Sequence, residues 1–263
     1  MKPNRFKKLY AEGKVPVGHM LFEFTTRGIP EILEVAGSDF VVIDMEHNAF
    51  NMADTADLIS WFRATDIAVF VRVPEVHYSH IARVMDSGGH GVMAPNVKSA
   101  GQAQALVDAA KYQPIGQRGF YMGLGPNSDY RGFPPAETRR VMDEANERTT
   151  VICLIEHPEG VANLDEIAAL PGVDALCAGY GDLAQYMGVP GDFQDPGFLD
   201  AMQSIAQAAK RHKIPAIVQP GNEEQLEQWL GLGFTAISWS CDIAVYRDAL
   251  KAATDITKKA VGR

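Results

Sequence analysis

The sequence has few cysteines, no long apolar run and no excess of basic residues. Its three cysteines, Cys153, Cys177 and Cys241, cannot form a closed disulfide framework, and no Cys-x-x-Cys pair or Cys/His cluster predicts a zinc site. No apolar stretch approaches the roughly 20 residues of a transmembrane helix, and no apolar signal segment follows the basic N-terminus. We therefore expect a cytoplasmic protein that does not bind membranes.

The charge balance argues against nucleic acid as a partner. The chain has 33 acidic and 24 basic side chains, a net charge of −9, whereas phosphate binding requires clustered Lys and Arg. An anionic small substrate is not excluded, because a local cation can outweigh the net charge. With 263 residues of ordinary globular composition, the chain needs neither a disulfide nor a structural metal to fold.

Short apolar runs rich in β-branched residues alternate with amphipathic segments of helical period. The predicted strands are 17–24, 40–44, 67–74, 91–96, 151–156, 175–179, 215–219 and 235–239. The predicted helices are 52–64, 78–87, 100–111, 135–148, 164–170, 198–210, 222–230 and a C-terminal helix at 246–259. This alternation predicts a single α/β domain over residues 1–263, a (β/α)8 TIM barrel. The alternative is a doubly wound open sheet, which often carries a glycine-rich first turn that is absent here.

One connection, at about 97–150, is much longer than the others. It contains a helix, a Gly/Pro-rich stretch at 113–135 and a second helix. Long loops in compact domains are often functional, so we expect either a cover over the substrate end of the barrel or an oligomer contact. Both can hold together.

Ionisable residues follow several predicted strands, and active sites of such barrels lie at the carboxyl ends of the strands. Glu156 and Asp182 end adjacent strands, so their carboxylates can converge on Mg²⁺ or Mn²⁺, which prefer oxygen ligands. The alternative is a carboxylate pair that Arg72 neutralises without a metal.

Three other features of this rim indicate catalysis. His47 is the best candidate general base, because its ordinary pKa lies near neutral pH. Arg72, at the end of a buried strand, needs an anionic partner such as an enolate oxygen or a substrate carboxylate. Gly179 and Gly181 flank Tyr180, and backbone N–H groups there could hold an anion; a plain turn is the alternative.

Together these residues resemble the HpcH/HpaI aldolase family, the metal-dependent (class II) pyruvate aldolases, which include 2,4-dihydroxyhept-2-ene-1,7-dioate aldolase. The motifs occur in order as Asp44-Met45-Glu46-His47, Arg72-Val73-Pro74, Gly116-Gln117-Arg118-Gly119, Glu156 and Gly179-Tyr180-Gly181-Asp182-Leu183. The opening Asn4-Arg5-Phe6-Lys7 is also similar, so the resemblance covers nearly the whole chain.

The resemblance implies a carbon–carbon lyase that cleaves or forms 4-hydroxy-2-oxo acids through a pyruvate enolate. Glu156 and Asp182 would hold Mg²⁺, Mn²⁺ or Co²⁺, and backbone around Gly179, Gly181 and Asp182 would bind the substrate carboxylate. Arg72 would bind the substrate's enolate oxygen, and His47 would move the hydroxyl proton. The expected partners are a 2-oxo acid and an aldehyde.

The family also pairs this histidine with an aspartate that matches Asp86, a third catalytic candidate. The pattern places Asp86 in the last turn of helix 78–87, at the face of the barrel opposite the active site. We therefore hypothesise that Asp86 reaches His47 of the partner subunit; a solvated aspartate at a frayed helix end is the alternative. The resemblance further implies a homo-oligomer, a hexamer built as a trimer of dimers.

The sequence departs from the family pattern at Leu154, where Gln is frequent, at His157, where Thr or Ser is common, and at Tyr180, which replaces a usual Pro. These changes predict a substrate preference away from succinic semialdehyde. Two alternatives stay open. One is a CoA-ester lyase, with Arg131, Arg139 and Arg140 near the CoA phosphates, and the other is a non-catalytic oligomeric barrel that binds 2-oxo acids.

Overall fold

Eight parallel strands form a closed barrel in sequential order, β1 to β8, in a computed structural model that describes residues 2–121 and 125–263. The strands are Val17–Leu21, Phe40–Asp44, Ala68–Arg72, Gly91–Ala94, Thr150–Ile155, Ala175–Ala178, Ala216–Val218 and Ala236–Cys241. Each of the eight predicted runs contains or overlaps one of these strands. The (β/α)8 fold class is confirmed.

Helices interleave with the strands. The described helices α1 to α12 are Arg5–Ala11, Ile29–Val35, Met52–Phe62, Tyr78–Asp86, Ala100–Ala110, Thr138–Arg148, Pro158–Ala162, Leu164–Ala168, Tyr180–Tyr186, Pro196–Arg211, Glu223–Leu232 and Asp242–Ala260. The sequence did not predict α1, α2, α7 and α9, which have five to seven residues each. So short a helix spans fewer than two turns and shows little periodicity. Among the described helices, none is both long and apolar enough to cross a membrane.

The strands are buried on both faces, as a parallel sheet covered by helices requires. One face packs against the helices and the other fills the barrel interior. Helix α1 closes the amino end of the barrel, because Phe6 inserts edge-on against Phe40 and Phe70, with ring centroids 5.2 Å away in both cases. Asn4 caps α1 and also donates to the Thr150 hydroxyl over 2.8 Å. The cavity of the barrel is therefore found at the carboxyl end.

The long connection packs at the amino end of the barrel. Pro126 lies beside Gly88, which follows α4, and Arg63, which follows α3, donates to Asp129 over 2.5 Å. Barrel helices run antiparallel to the strands, so both helix ends mark the amino side. The expected cover over the substrate end is therefore wrong for residues 125–131 and for Arg118, which lies beside Asp86 at the end of α4, whereas Gly119 bonds to Tyr78 at the start of α4. Residues 122–124 of this connection lie outside the described residues.

Candidate active site

A cavity of about 340 Å³ opens at the carboxyl end of the barrel. The four ionisable residues that the sequence predicts at its rim all line the cavity. Inward-facing apolar side chains of the strands form its floor, among them Met20, Val42, Met93, Leu154 and Ile217. Its polar lining includes His47, Arg72, Glu156 and Asp182. The carboxyl-end rim predicted from the sequence is one continuous site.

Glu156 follows β5 and is buried. One of its oxygens accepts the backbone N–H of Asn96 over 2.6 Å, and Asn96 adopts a left-handed conformation (φ 53°) just after β4. The other oxygen faces Gly179, where any side chain would overlap with it. Burial raises the pKa of Glu156 to about 7, with smaller contributions from the carboxylates of Glu46 and Asp182.

Asp182 lies in the first turn of α9, directly after β6. The Gly179-to-Asp182 segment, expected to be a cradle or a plain turn, is therefore the start of a helix. The N–H of Gly179 already donates to the carbonyl of Ile155 over 2.9 Å. The N–H groups of the first turn itself have no acceptor within the helix, so they are the ones that an anion in the cavity could reach.

Arg72 ends β3 and is paired within the chain. Its Nε donates to Asp44 over 2.6 Å, and Nη1 lies 3.1 Å from Glu46 Oε2. Burial alone would lower the pKa of Arg72, but the bond to Asp44 and the neighbouring carboxylates outweigh burial and raise it. Arg72 does not form an ion pair with Glu156 or Asp182 within the described residues, which disfavours the metal-free alternative.

His47 lies on the loop after β2, and Asp44 holds that loop in place. Asp44 is fully buried and accepts the backbone N–H groups of Glu46 and His47 over 3.2 and 2.9 Å. The His47 side chain is 55% exposed at the cavity mouth, with Nε2 3.7 Å from Glu46 Oε2. The motif Asp44-Met45-Glu46-His47 indicated a role for His47 only, although two carboxylates at the end of a buried strand were a usable signal for Asp44 and Glu46.

The residues present fit a divalent cation. Burial raises the pKa of Glu46 as well, and the carboxylates of Glu46, Glu156 and Asp182 repel one another. Within the part of the chain that the structure describes, neither Glu156 nor Asp182 has an ion-pair partner. The described residues contain no group of three or more His, Cys, Asp or Glu side chains arranged to hold a metal, so the site offers two protein ligands. Two carboxylates leave positions open for water and substrate, as Mg²⁺ and Mn²⁺ prefer.

Asp86 lies in the last turn of α4, as predicted, and so at the amino end of the barrel. Its carboxylate lies 4.0 Å from Arg118. The structure therefore does not bring Asp86 and His47 of one chain together.

The three departures from the family pattern differ in position. Leu154 and Tyr180 line the cavity, and the Tyr180 ring packs edge-on against Phe193. His157 instead caps α7, where its Nδ1 accepts the N–H of Glu159. Only the first two changes therefore act on the shape of the site.

A profile of HpcH/HpaI aldolase/citrate lyase matches residues 21–249. The chain belongs to this family. The "4-hydroxy-4-methyl-2-oxoglutarate aldolase tasA" of Hapsidospora irregularis is 30% identical over 76% of this chain and 74% of its own length. The "5-keto-4-deoxy-D-glucarate aldolase" of Klebsiella pneumoniae is 29% identical over 98% of each chain.

A solved HpcH/HpaI aldolase from Desulfitobacterium hafniense has the same architecture. Its TM-score is 0.88 and its identity 30%, and the match covers 96% of each chain. As a member of the HpcH/HpaI family with aldolases as relatives, this protein is a carbon–carbon lyase.

Proposed function

We propose that this protein reversibly cleaves 4-hydroxy-2-oxo acids into an aldehyde and pyruvate, through a pyruvate enolate and with a divalent cation. The observation that carries the proposal is one cavity lined by His47, Arg72, Glu156 and Asp182. It combines unbalanced carboxylates, a fixed guanidinium and a half-exposed imidazole. The names of the two aldolase relatives, which denote oxo-acid substrates, agree with this substrate class.

Glu156 and Asp182 are the residues that would hold the cation. When bound, Mg²⁺, Mn²⁺ or Co²⁺ would polarise the keto and carboxylate oxygens of the substrate and so stabilise the enolate charge. Asn96 and Gly179 fix the Glu156 carboxylate from both sides, so the ligand is oriented before the cation arrives. The first-turn N–H groups of α9, those of Gly181 and Asp182, would bind the substrate carboxylate, while the N–H of Gly179 already donates to the carbonyl of Ile155.

Arg72 would donate to the oxygen on which the enolate charge develops. Its contacts with Asp44 and Glu46 hold the guanidinium in place, so little reorganisation is needed during the reaction. A preorganised cation of this kind stabilises the transition state more than the ground state.

His47 would act as the general base for cleavage. It takes the proton of the C4 hydroxyl, the C3–C4 bond breaks, and the aldehyde leaves while the bond electrons form the enolate. The enolate then takes a proton at C3 from water and becomes pyruvate, and His47 returns its proton to water. Condensation follows the same path in reverse, with His47 returning the proton to the new hydroxyl.

We further propose a homo-oligomer, a hexamer built as a trimer of dimers, in which Asp86 of the partner subunit orients His47. Helix α12 supports association, because its start is fixed by Asp242 while apolar side chains beyond it are exposed. Leu250 is 51% and Ile256 71% exposed. A helix that shows such side chains to solvent is the kind of surface a second copy of this chain would cover.

No observation favours the CoA-ester lyase alternative. Arg139 pairs with Asp143, and Arg140 pairs with Glu137 and Glu144, so both charges are already engaged along α6. They are poorly placed to form a phosphate pocket.

Deuterium exchange of the pyruvate methyl group, followed by NMR, tests the proposed function. We expect no exchange in EDTA, exchange after addition of Mg²⁺, Mn²⁺ or Co²⁺, and slower exchange in Arg72→Ala. His47→Ala should lower kcat for cleavage by about 10²- to 10⁴-fold while metal affinity is retained. Binding of metal and pyruvate without exchange under any condition would instead indicate a non-catalytic barrel.

A further inference from the structure

We propose that Arg118 is a positioning residue that holds the Asp86 carboxylate in the orientation required to meet His47 of the partner subunit. This inference rests on the proposed function and deepens it. It also gives a role to the Gly116-Gln117-Arg118-Gly119 motif. The residues of this motif do not line the cavity and have no role in the active site described above.

The guanidinium of Arg118 is fixed in the fold. Its side chain is only 3% exposed, and the group stacks on the ring of Tyr112 at 3.9 Å. Nη1 donates to the carbonyl of Ala110 over 2.9 Å, and the backbone N–H donates to the carbonyl of Lys111 over 2.9 Å. The positive charge therefore has one defined position.

The two glycines of the motif allow it to dock closely. A Cβ at Gly116 would overlap with the carbonyl oxygens of Lys111 and Val107. Gly119 donates its N–H to the hydroxyl of Tyr78 over 2.8 Å, and a Cβ at Gly119 would push this hydroxyl away. Tyr78 is the first residue of α4 and Asp86 the last, so the motif is fixed to the helix that carries Asp86.

Asp86 supplies the only carboxylate within 4.0 Å of Arg118 among the described residues, at 4.0 Å between Oδ1 and Nε. Both atoms are buried, and neither has a hydrogen-bond partner in the described part of the chain. The Asp86 side chain is 38% exposed, so the rest of it faces outward. A buried arginine needs an anion, and here that anion is an aspartate at the surface. Because Arg118 attracts one oxygen of the Asp86 carboxylate inward, the other oxygen can accept a hydrogen bond from the imidazole of the partner subunit's His47.

A comparison of two reactions distinguishes a positioning role of Arg118 from a purely structural role. Cleavage of a 4-hydroxy-2-oxo acid requires His47 to take the hydroxyl proton. Decarboxylation of oxaloacetate breaks the C3–C4 bond, releases CO₂ and leaves the same pyruvate enolate, yet no hydroxyl proton is removed. A residue that acts through Asp86 and His47 should affect the first reaction and spare the second.

The experiment compares Arg118→Met, which keeps an apolar stem against Tyr112, with Arg118→Lys, which keeps the charge. We expect Arg118→Met to lower kcat for cleavage roughly tenfold or more, as removal of a residue supporting a catalytic group typically does, and Arg118→Lys to restore part of it. The rate of oxaloacetate decarboxylation and the oligomeric state should not change. Arg63→Met, which removes a second arginine at the same end of the barrel, is the matched control and should keep both rates.

A double-mutant cycle completes the test. Arg118→Met should have no further effect in an Asp86→Asn background, because the two residues act as one unit. Additive effects, or equal losses in cleavage and decarboxylation, would overturn the inference. A wild-type enzyme that cleaves no 4-hydroxy-2-oxo acid overturns the proposed function as well. If the wild type cleaves and Asp86→Asn has full activity, the aldolase assignment stands and the inference alone fails.

Discussion

At the scale of single residues, the site depends on charges that the fold leaves partly unbalanced. Arg72 pairs with Asp44 and Glu46, so among the described residues it forms no ion pair with Glu156 or Asp182. The result is a buried carboxylate, Glu156, with the partly exposed Asp182 nearby, which is an unfavourable arrangement for the metal-free protein alone. Bound metal and substrate would relieve this imbalance, which Gly179→Ala and the pH dependence of stability both test.

Gly179→Ala should weaken metal binding, because its new methyl group would overlap with the Glu156 carboxylate. Gly181→Ala is the matched control, since a Cβ there meets nothing within 4 Å. Isothermal titration with Mn²⁺ measures both affinities, and a loss of tenfold or more is expected for the first variant only, the size typical of a displaced supporting contact. Equal affinities would place the metal away from Glu156.

The stability of the metal-free protein should fall as pH rises. Burial raises the pKa of Glu156 to about 7 from 4.5, so the folded state favours the protonated form. This stabilisation is complete below pH 4.5 and is lost as pH rises through 7, about 3 kcal/mol in all. In EDTA, the unfolding temperature of the wild type should therefore fall more steeply with rising pH than that of Glu156→Gln. Parallel curves would mean that Glu156 is ionised without a cation.

Leu154 and Tyr180 should set the aldehyde preference. Their apolar and aromatic surfaces line the cavity, so we expect kcat/KM for succinic semialdehyde to lie below that for less polar aldehydes. Coupled assays across an aldehyde series measure kcat/KM for each aldehyde. Leu154→Gln should reduce the difference in kcat/KM between less polar aldehydes and succinic semialdehyde. A wild-type preference for succinic semialdehyde would contradict the expectation.

At the scale of elements, the short helix α1 closes the barrel through one side chain. Phe6 is the single buried residue of this helix and contacts two aromatic rings in the interior. Its seven residues carry no helical hydrophobic stripe, so the helix was not predictable from periodicity. Its stability comes from tertiary packing and from the Asn4 cap.

Phe6→Ala should lower the free energy of unfolding by about 3–5 kcal/mol, because it removes a fully buried ring and leaves a cavity. Lys8→Ala, on the exposed side of the same helix, is the control and should change stability little. Urea denaturation measures both. A small loss in Phe6→Ala would show that the barrel interior collapses around the missing ring.

At the scale of the whole molecule, association and catalysis are expected to depend on each other. The structure places Asp86 and His47 at opposite ends of one barrel, so the proposed contact between them would need a second copy of this chain. Helix α12 offers the exposed apolar surface for that contact.

Leu250→Glu combined with Ile256→Glu should dissociate the oligomer, because two charges replace exposed apolar side chains on α12. Cleavage should be lost while Mn²⁺ binding is retained, since Glu156 and Asp182 lie within one chain. Light scattering and titration check these outcomes, with Lys251→Glu as a control on the polar side of the helix. A monomer with full cleavage activity would refute the shared site.

The sequence by itself determined the barrel and the identity of its rim. A strand that is buried on both faces has apolar residues along its whole length, so its position can be read from the sequence. The residues that follow each strand must lie at the carboxyl end of the barrel, and His47, Arg72, Glu156 and Asp182 could therefore be placed together. Only the tertiary structure decided that Arg72 pairs with Asp44 and Glu46, that 125–131 packs at the amino end, and that Arg118 faces Asp86. These contacts join residues far apart in the chain or on neighbouring elements, and their strength depends on distance and burial, which local sequence patterns do not record.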